Sequence, residues 1–76
     1  MIGEHDRVVL KRSIPKERLR AGDVGTVVHV HRGGKAFEVE FVALDGETMA
    51  IATLAASQVR PVQRGEITHA RPMVGV

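Results

Sequence analysis

Seventy-six residues, no cysteine and a formal net charge of +2 describe one small domain. The lack of cysteine removes disulfides, thiolate zinc sites and cysteine nucleophiles together, and fits a reducing compartment. A chain of this size buries only about 60% of its unfolded surface, so its core is thin and it gains from self-association.

The chain starts Met1-Ile2-Gly3-Glu4-His5-Asp6, which is acidic and lacks the apolar run of a signal peptide. Arg7-Val8-Val9-Leu10-Lys11 reads as a first strand. Ser13 to Arg20 reads as an ordered loop with one helical turn, Ser13 capping and Pro15 near the first position. Residues 7–20 hold Arg7, Lys11, Arg12, Lys16, Arg18 and Arg20 against the single Glu17, a local +5 that leaves −3 for the remainder.

Ala21-Gly22-Asp23-Val24-Gly25 is turn chemistry, and Thr26 to His31 is a second strand. Arg32-Gly33-Gly34-Lys35 makes a hairpin turn. Ala36 to Leu44 is the third strand, in which Phe37, Val39 and Phe41 alternate with Glu38 and Glu40. Pairing outward from Gly33-Gly34 sets Val30 against Phe37, His29 against Glu38, Val28 against Val39 and Thr26 against Phe41. The apolar faces then coincide.

Leu44-Asp45-Gly46-Glu47 is a second hairpin turn, followed by a fourth strand from Thr48 to Leu54, although its alanines favour helix. The charge-free stretch Thr48–Gln58 is far short of the ~20 residues that cross a bilayer. A helical turn at Ala55–Gln58 leads into a last short strand, Val59 to Val62, where Pro61 suits only an edge or an end. Residues 1–64 form the domain. Residues 65–76 are a tail in which Glu66 to His69 adds a strand and the rest is frayed. The expected fold is all-β: a small SH3-like barrel of about five short antiparallel strands, with one early ordered loop and a one-turn helix before the last strand.

The stretches "DRVVL", "LRAGDVGTVVHV", "FEVEFVALDGET" and "ASQVRPV" resemble a family of short bacterial proteins, the domain-of-unknown-function family 4926. The resemblance runs over roughly Glu4 to Ile67, and "AGDVGTVV" and "VEF…DGET" are its most specific blocks. It implies a small SH3-like barrel and supplies no activity to carry over. It also implies an association with toxin-like partners, as an antitoxin or immunity protein. "GDVGTVV" alone is similar to the strand–Gly–strand element of ribosomal KOW-type barrels.

Little in the chain speaks for chemistry. Ser13, Ser57 and the threonines have no nucleophile-elbow context, and Gly33-Gly34 joins two strands rather than a strand and a helix. A barrel this small is expected to lack a pocket of about 300 Å³. No enzyme activity, cofactor, metal or small-molecule substrate is therefore expected. His29 and His31 share a strand face about 7 Å apart, with Glu38 a third candidate ligand, but an exposed strand face with a cross-strand pair accounts for them.

Pairing the third and fourth strands about Asp45-Gly46 is more informative. Phe41 meets Ala50, Val39 meets Ala52 and Phe37 meets Leu54 inside; Val42 meets Met49 and Glu40 meets Ile51 outside. With Val27 beside Glu40, the outer face carries Val27, Val42, Met49 and Ile51, and such a patch marks an interface. A bulge after Gly46 would instead turn Met49 and Ile51 inward, and Met73, Val74 and Val76 of the tail are a second way to cover that face.

The function read from the sequence is a non-catalytic, cytoplasmic interaction module that self-associates or binds one protein partner. Its contacts are Val27, Val42, Met49 and Ile51, and the expected assembly is a homodimer, with exchange of a segment one route to it. The alternative is a weak, sequence-independent nucleic-acid-binding barrel using Lys11, Arg12, Lys16, Arg18 and Arg20. Against it, both aromatics, Phe37 and Phe41, go to the core, leaving none for base stacking.

Overall fold

A computed structural model describes residues 1–73, so the readings for Val74 and Val76 lie outside the described residues. Five strands form one antiparallel sheet: β1 (Arg7–Leu10), β2 (Val24–His31), β3 (Ala36–Val42), β4 (Thr48–Ala55) and β5 (Val59–Pro61), in the order β4-β3-β2-β1-β5. A one-turn 3-10 helix at Pro15–Glu17 sits in the long β1–β2 loop, and a second at Ala56–Gln58 carries β4 into β5. A long early loop, two tight hairpins and a 3-10 turn that returns the chain beside β1 make an SH3-like barrel. The alanines of β4 do not form a helix, because Ala50 and Ala52 are held opposite Phe41 and Val39 in the ladder. Tertiary pairing outweighs helix propensity there.

The core is Val8, Leu10, Leu19, Val27, Phe37, Val39, Phe41, Ala52, Leu54 and Val59. Both aromatics lie in it. Leu19 reaches the core from the β1–β2 loop, which is ordered by its own bonds: Ser13 Oγ accepts the Ala21 N–H at 3.0 Å, and Ile14 N–H reaches Leu19 O at 2.8 Å. Ser13 thus ties the loop to itself rather than capping the helical turn, whose N-cap is Ile14.

The first hairpin departs from the expected register after three residue pairs, the first being His31–Ala36. His29 lies opposite Glu38 and Val30 opposite Phe37, but a bulge at Val28 shifts the rest, so that Val27 meets Val39 and Thr26 meets Glu40. Val27 is therefore not on the outer face. It is 0% exposed and belongs to the core, while Val28 is turned out. The cause is the close approach of the two strands. A Cβ on the buried Gly25 would lie 2.5 Å from Val39 Cγ1 and 3.0 Å from the Glu40 carbonyl oxygen. A bulge supplies the extra residue and the added twist that bring the strands together there.

The second hairpin keeps the expected pairs Phe41–Ala50, Glu40–Ile51, Val39–Ala52 and Phe37–Leu54. Beyond them Val42 meets Thr48, not Met49, because Met49 is the extra residue of a second bulge. That bulge leaves Ile51 on the outside.

Candidate interaction surface

The four apolar residues expected on one face separate into three settings. Val27 is in the core. Val42 and Met49, 45% and 37% exposed, stand together where β3 leaves for its hairpin and β4 begins. Ile51, 57% exposed, stands two residues further along β4. Glu40 beside it accepts a hydrogen bond from Thr48 Oγ1 at 2.6 Å, so the carboxylate is drawn along the strand toward Thr48.

Val42 and Met49 also form one wall of a groove of about 280 Å³. Leu19, Asp23 and Val24 form another wall, and the tail from Thr68 to Met73 forms the third. A pocket of this size was not expected from so small a barrel; the tail, rather than the barrel, supplies its missing side. Val24 and Leu44 add exposed apolar surface at its rim. No local pattern marks these two residues, since each lies beside turn residues in the sequence.

The tail carries no strand at Glu66–His69. Ion pairs hold it instead. Arg60 Nη1 and Nη2 donate to Glu66 Oε1 and Oε2 at 3.0 and 2.6 Å. Arg71 Nε donates to Asp23 Oδ1 at 2.9 Å, and Arg71 Nη2 to Asp23 Oδ2 at 2.5 Å and to the Arg18 carbonyl at 3.1 Å. Met73 then packs against the core. Partial burial by itself would raise the Asp23 carboxyl. The Arg71 hydrogen bonds, the Arg20 amide and the charges of both arginines outweigh it and hold the group below its ordinary value. Glu66, on the surface, is pulled down to about 2 by the Arg60 hydrogen bonds and the Gln63 amide.

The two histidines face each other edge to face, ring centroids 4.4 Å apart. His29 Nδ1 lies 3.8 Å from Glu4 and His31 Nε2 lies 3.6 Å from Glu38, so the carboxylate expected at His29 serves His31 instead. Among the described residues no group of three or more His, Asp or Glu side chains is disposed to hold a metal ion. Lys11, Arg12, Lys16, Arg18 and Arg20 are all exposed, on the β1–β2 loop.

The sequence profile described as "Domain of unknown function (DUF4926)" matches residues 4–61, most of the chain. The chain belongs to the DUF4926 family. No curated protein and no solved structure matches it. The DUF4926 match closes at Pro61, the last residue of β5, so it covers the strands of the barrel and stops before the Arg71-pinned tail. Among the described residues no helix is long and apolar enough to cross a membrane.

Proposed function

We propose that this DUF4926 protein is a non-catalytic interaction module that self-associates through the outer face of β3 and β4. The exposure of Ile51 carries the reading: a large β-branched side chain, 57% exposed, on a strand that has no charge from Thr48 to Ala55. Val42 and Met49 extend that surface toward the hairpin. A second copy is the occupant that matches it best, because the uncharged, apolar β4 can meet its own image while Glu40 of the neighbouring β3 is drawn aside toward Thr48. A thin core gains from the area so covered. The groove speaks for binding rather than catalysis, since its two charged side chains, Asp23 and Arg71, are spent on each other. A cysteine-free chain suits the reducing cytoplasm in which we propose that it works.

Light scattering at low and high protein concentration tests this. The mass rises toward twice 8.3 kDa in the parent chain, and Ile51→Glu or Met49→Glu keeps one folded chain at every concentration. A parent chain that stays at one-chain mass throughout removes the reading.

Weak nucleic-acid binding is the second reading. It is favoured by the six exposed cations of residues 7–20, none of which forms an ion pair among the described residues. Single-stranded RNA should then bind with steep salt dependence, lost when Lys16, Arg18 and Arg20 become Ala. The absence of any shift at low salt excludes it.

A further inference from the structure

β4 is an edge strand, and the phase of its hydrogen bonds is known. Ala56 N–H donates to Lys35 O at 3.0 Å, and Ala36 lies opposite Ala55. The hydrogen-bonded pairs with β3 are therefore Phe37–Leu54, Val39–Ala52 and Phe41–Ala50. The alternate residues Ile51, Thr53 and Ala55 turn both backbone groups away from β3. Ala55 N–H is already taken, by Gln58 Oε1 at 2.7 Å. At the other end the bulge at Met49 breaks the ladder. What stays open is Ile51 and Thr53: two donors and two acceptors, which no hydrogen bond among the described residues reaches.

Exposed edges are ordinarily protected by lysine, proline, inward charge or a covering segment. The edge Thr48-Met49-Ala50-Ile51-Ala52-Thr53-Leu54-Ala55 has no charge and no proline. Its small residues also allow close approach. We infer that two copies pair edge to edge along β4, antiparallel, about a two-fold axis at Ala52. This rests on the self-association proposed above and adds its partner strand and register.

In this register Ile51 N–H and C=O exchange bonds with Thr53 of the second copy, and Thr53 does the same with the second copy's Ile51. All four open groups of each copy are thereby satisfied, in four hydrogen bonds. Ala52 faces its own copy as a non-hydrogen-bonded pair on the inner side, where two methyls are easily accommodated. On the outer side each Ile51 lies against a Thr53, a cross-strand pair of β-branched side chains. The neighbouring registers are poorer. A two-fold axis at Thr53 needs the Ala55 N–H that Gln58 holds, and one at Ile51 runs into the Met49 bulge. Four hydrogen bonds and one row of side chains make a small contact, so the dimer is concentration-dependent.

Two variants of the full chain test the register. The protein has no cysteine, so Ala52→Cys introduces a single thiol, set opposite its own copy at the short separation of a non-hydrogen-bonded pair, where a disulfide fits. Mild oxidation should cross-link most of it to a covalent dimer, whereas Thr53→Cys, which faces Ile51, should cross-link at least tenfold less. Thr53→Pro removes an outward N–H that β3 does not use, and proline is tolerated on edges. It should raise the concentration of half-dimerisation at least tenfold; if it unfolds, Thr53→Lys serves the same purpose.

Failure of Ala52→Cys to cross-link, or equal cross-linking by both thiols, overturns the edge pairing. So does a dimer indifferent to Thr53→Pro and Thr53→Lys but lost in Ile51→Glu, which leaves self-association through the outer face standing. A parent chain of single-chain mass at all concentrations removes self-association itself. Pairing of β4 only with a strand of another protein likewise overturns the inference.

Discussion

Arg71 closes on Asp23 across 48 residues of chain, with Nε on Oδ1 at 2.9 Å and Nη2 on Oδ2 at 2.5 Å. Such a two-pronged, charge-assisted contact is directional, and here it is partly shielded from water. It fixes the tail against the β1–β2 loop and so builds the third wall of the groove. The pair should contribute about 1 kcal/mol, between an exposed ion pair and a buried charged hydrogen bond. A urea-unfolding double-mutant cycle on Arg71→Ala and Asp23→Asn measures that coupling, and amide exchange across Ala70 to Met73 should accelerate in both single variants.

The same pair sets an acid dependence. The folded Asp23 carboxyl titrates below its ordinary value of 3.8. Its contribution is therefore complete above about pH 4 and lost as pH falls through the lower, folded value. Thermal unfolding between pH 2 and pH 6 should show a loss of stability at the acid end that is smaller in Asp23→Asn. Equal acid sensitivity in the two chains removes Asp23 as the cause. Glu66, held at about 2, releases the Arg60 contact as pH falls through that value.

Gly25 is needed for space, not for a positive φ. Gly25→Ala would bring a methyl within 2.5 Å of Val39 Cγ1, with the Glu40 carbonyl oxygen and Phe41 Cε1 each at 3.0 Å. Backbone cannot yield as a flexible side chain can, so the cost should be about 3 kcal/mol, at the upper end for overpacking. Denaturant midpoints give the number. A stability unchanged within about 0.5 kcal/mol would mean that β2 and β3 are less closely apposed than described.

Val27 and Val28 are adjacent and chemically identical, and the bulge between Val27 and His29 separates their fates. Val27→Ala deletes fully buried methyls and should cost about 2 kcal/mol or more. Val28→Ala should cost under about 0.5 kcal/mol. A larger loss for Val28→Ala than for Val27→Ala would restore the unbulged register, in which Val28 faces inward.

Much of this barrel was legible in the chain. Alternation of Phe37, Val39 and Phe41 with two glutamates, turns at Gly33-Gly34 and Asp45-Gly46, and the four inner and outer pairs from Phe37–Leu54 to Phe41–Ala50 all appear where period-two patterning put them. The DUF4926 resemblance also held. The candidate surface was legible only in part. Ile51 lies outside as its register requires, whereas Val27 does not, because one bulged residue reverses the facing of everything beyond it in β2. Nothing local in "TVVHVH" marks which valine is the extra one.

By itself, then, the sequence determined the strands, their turns and which residues within a strand share a side, because these follow from neighbours one to four positions apart. The tertiary structure decided where the ladder slips, at Val28 and Met49, and that the tail lies against the barrel by way of Asp23. It also decided which backbone groups of β4 stay open. These depend on how closely Gly25 approaches Val39 and on a pairing between residues 48 positions apart, and separations of that kind leave no trace in local pattern.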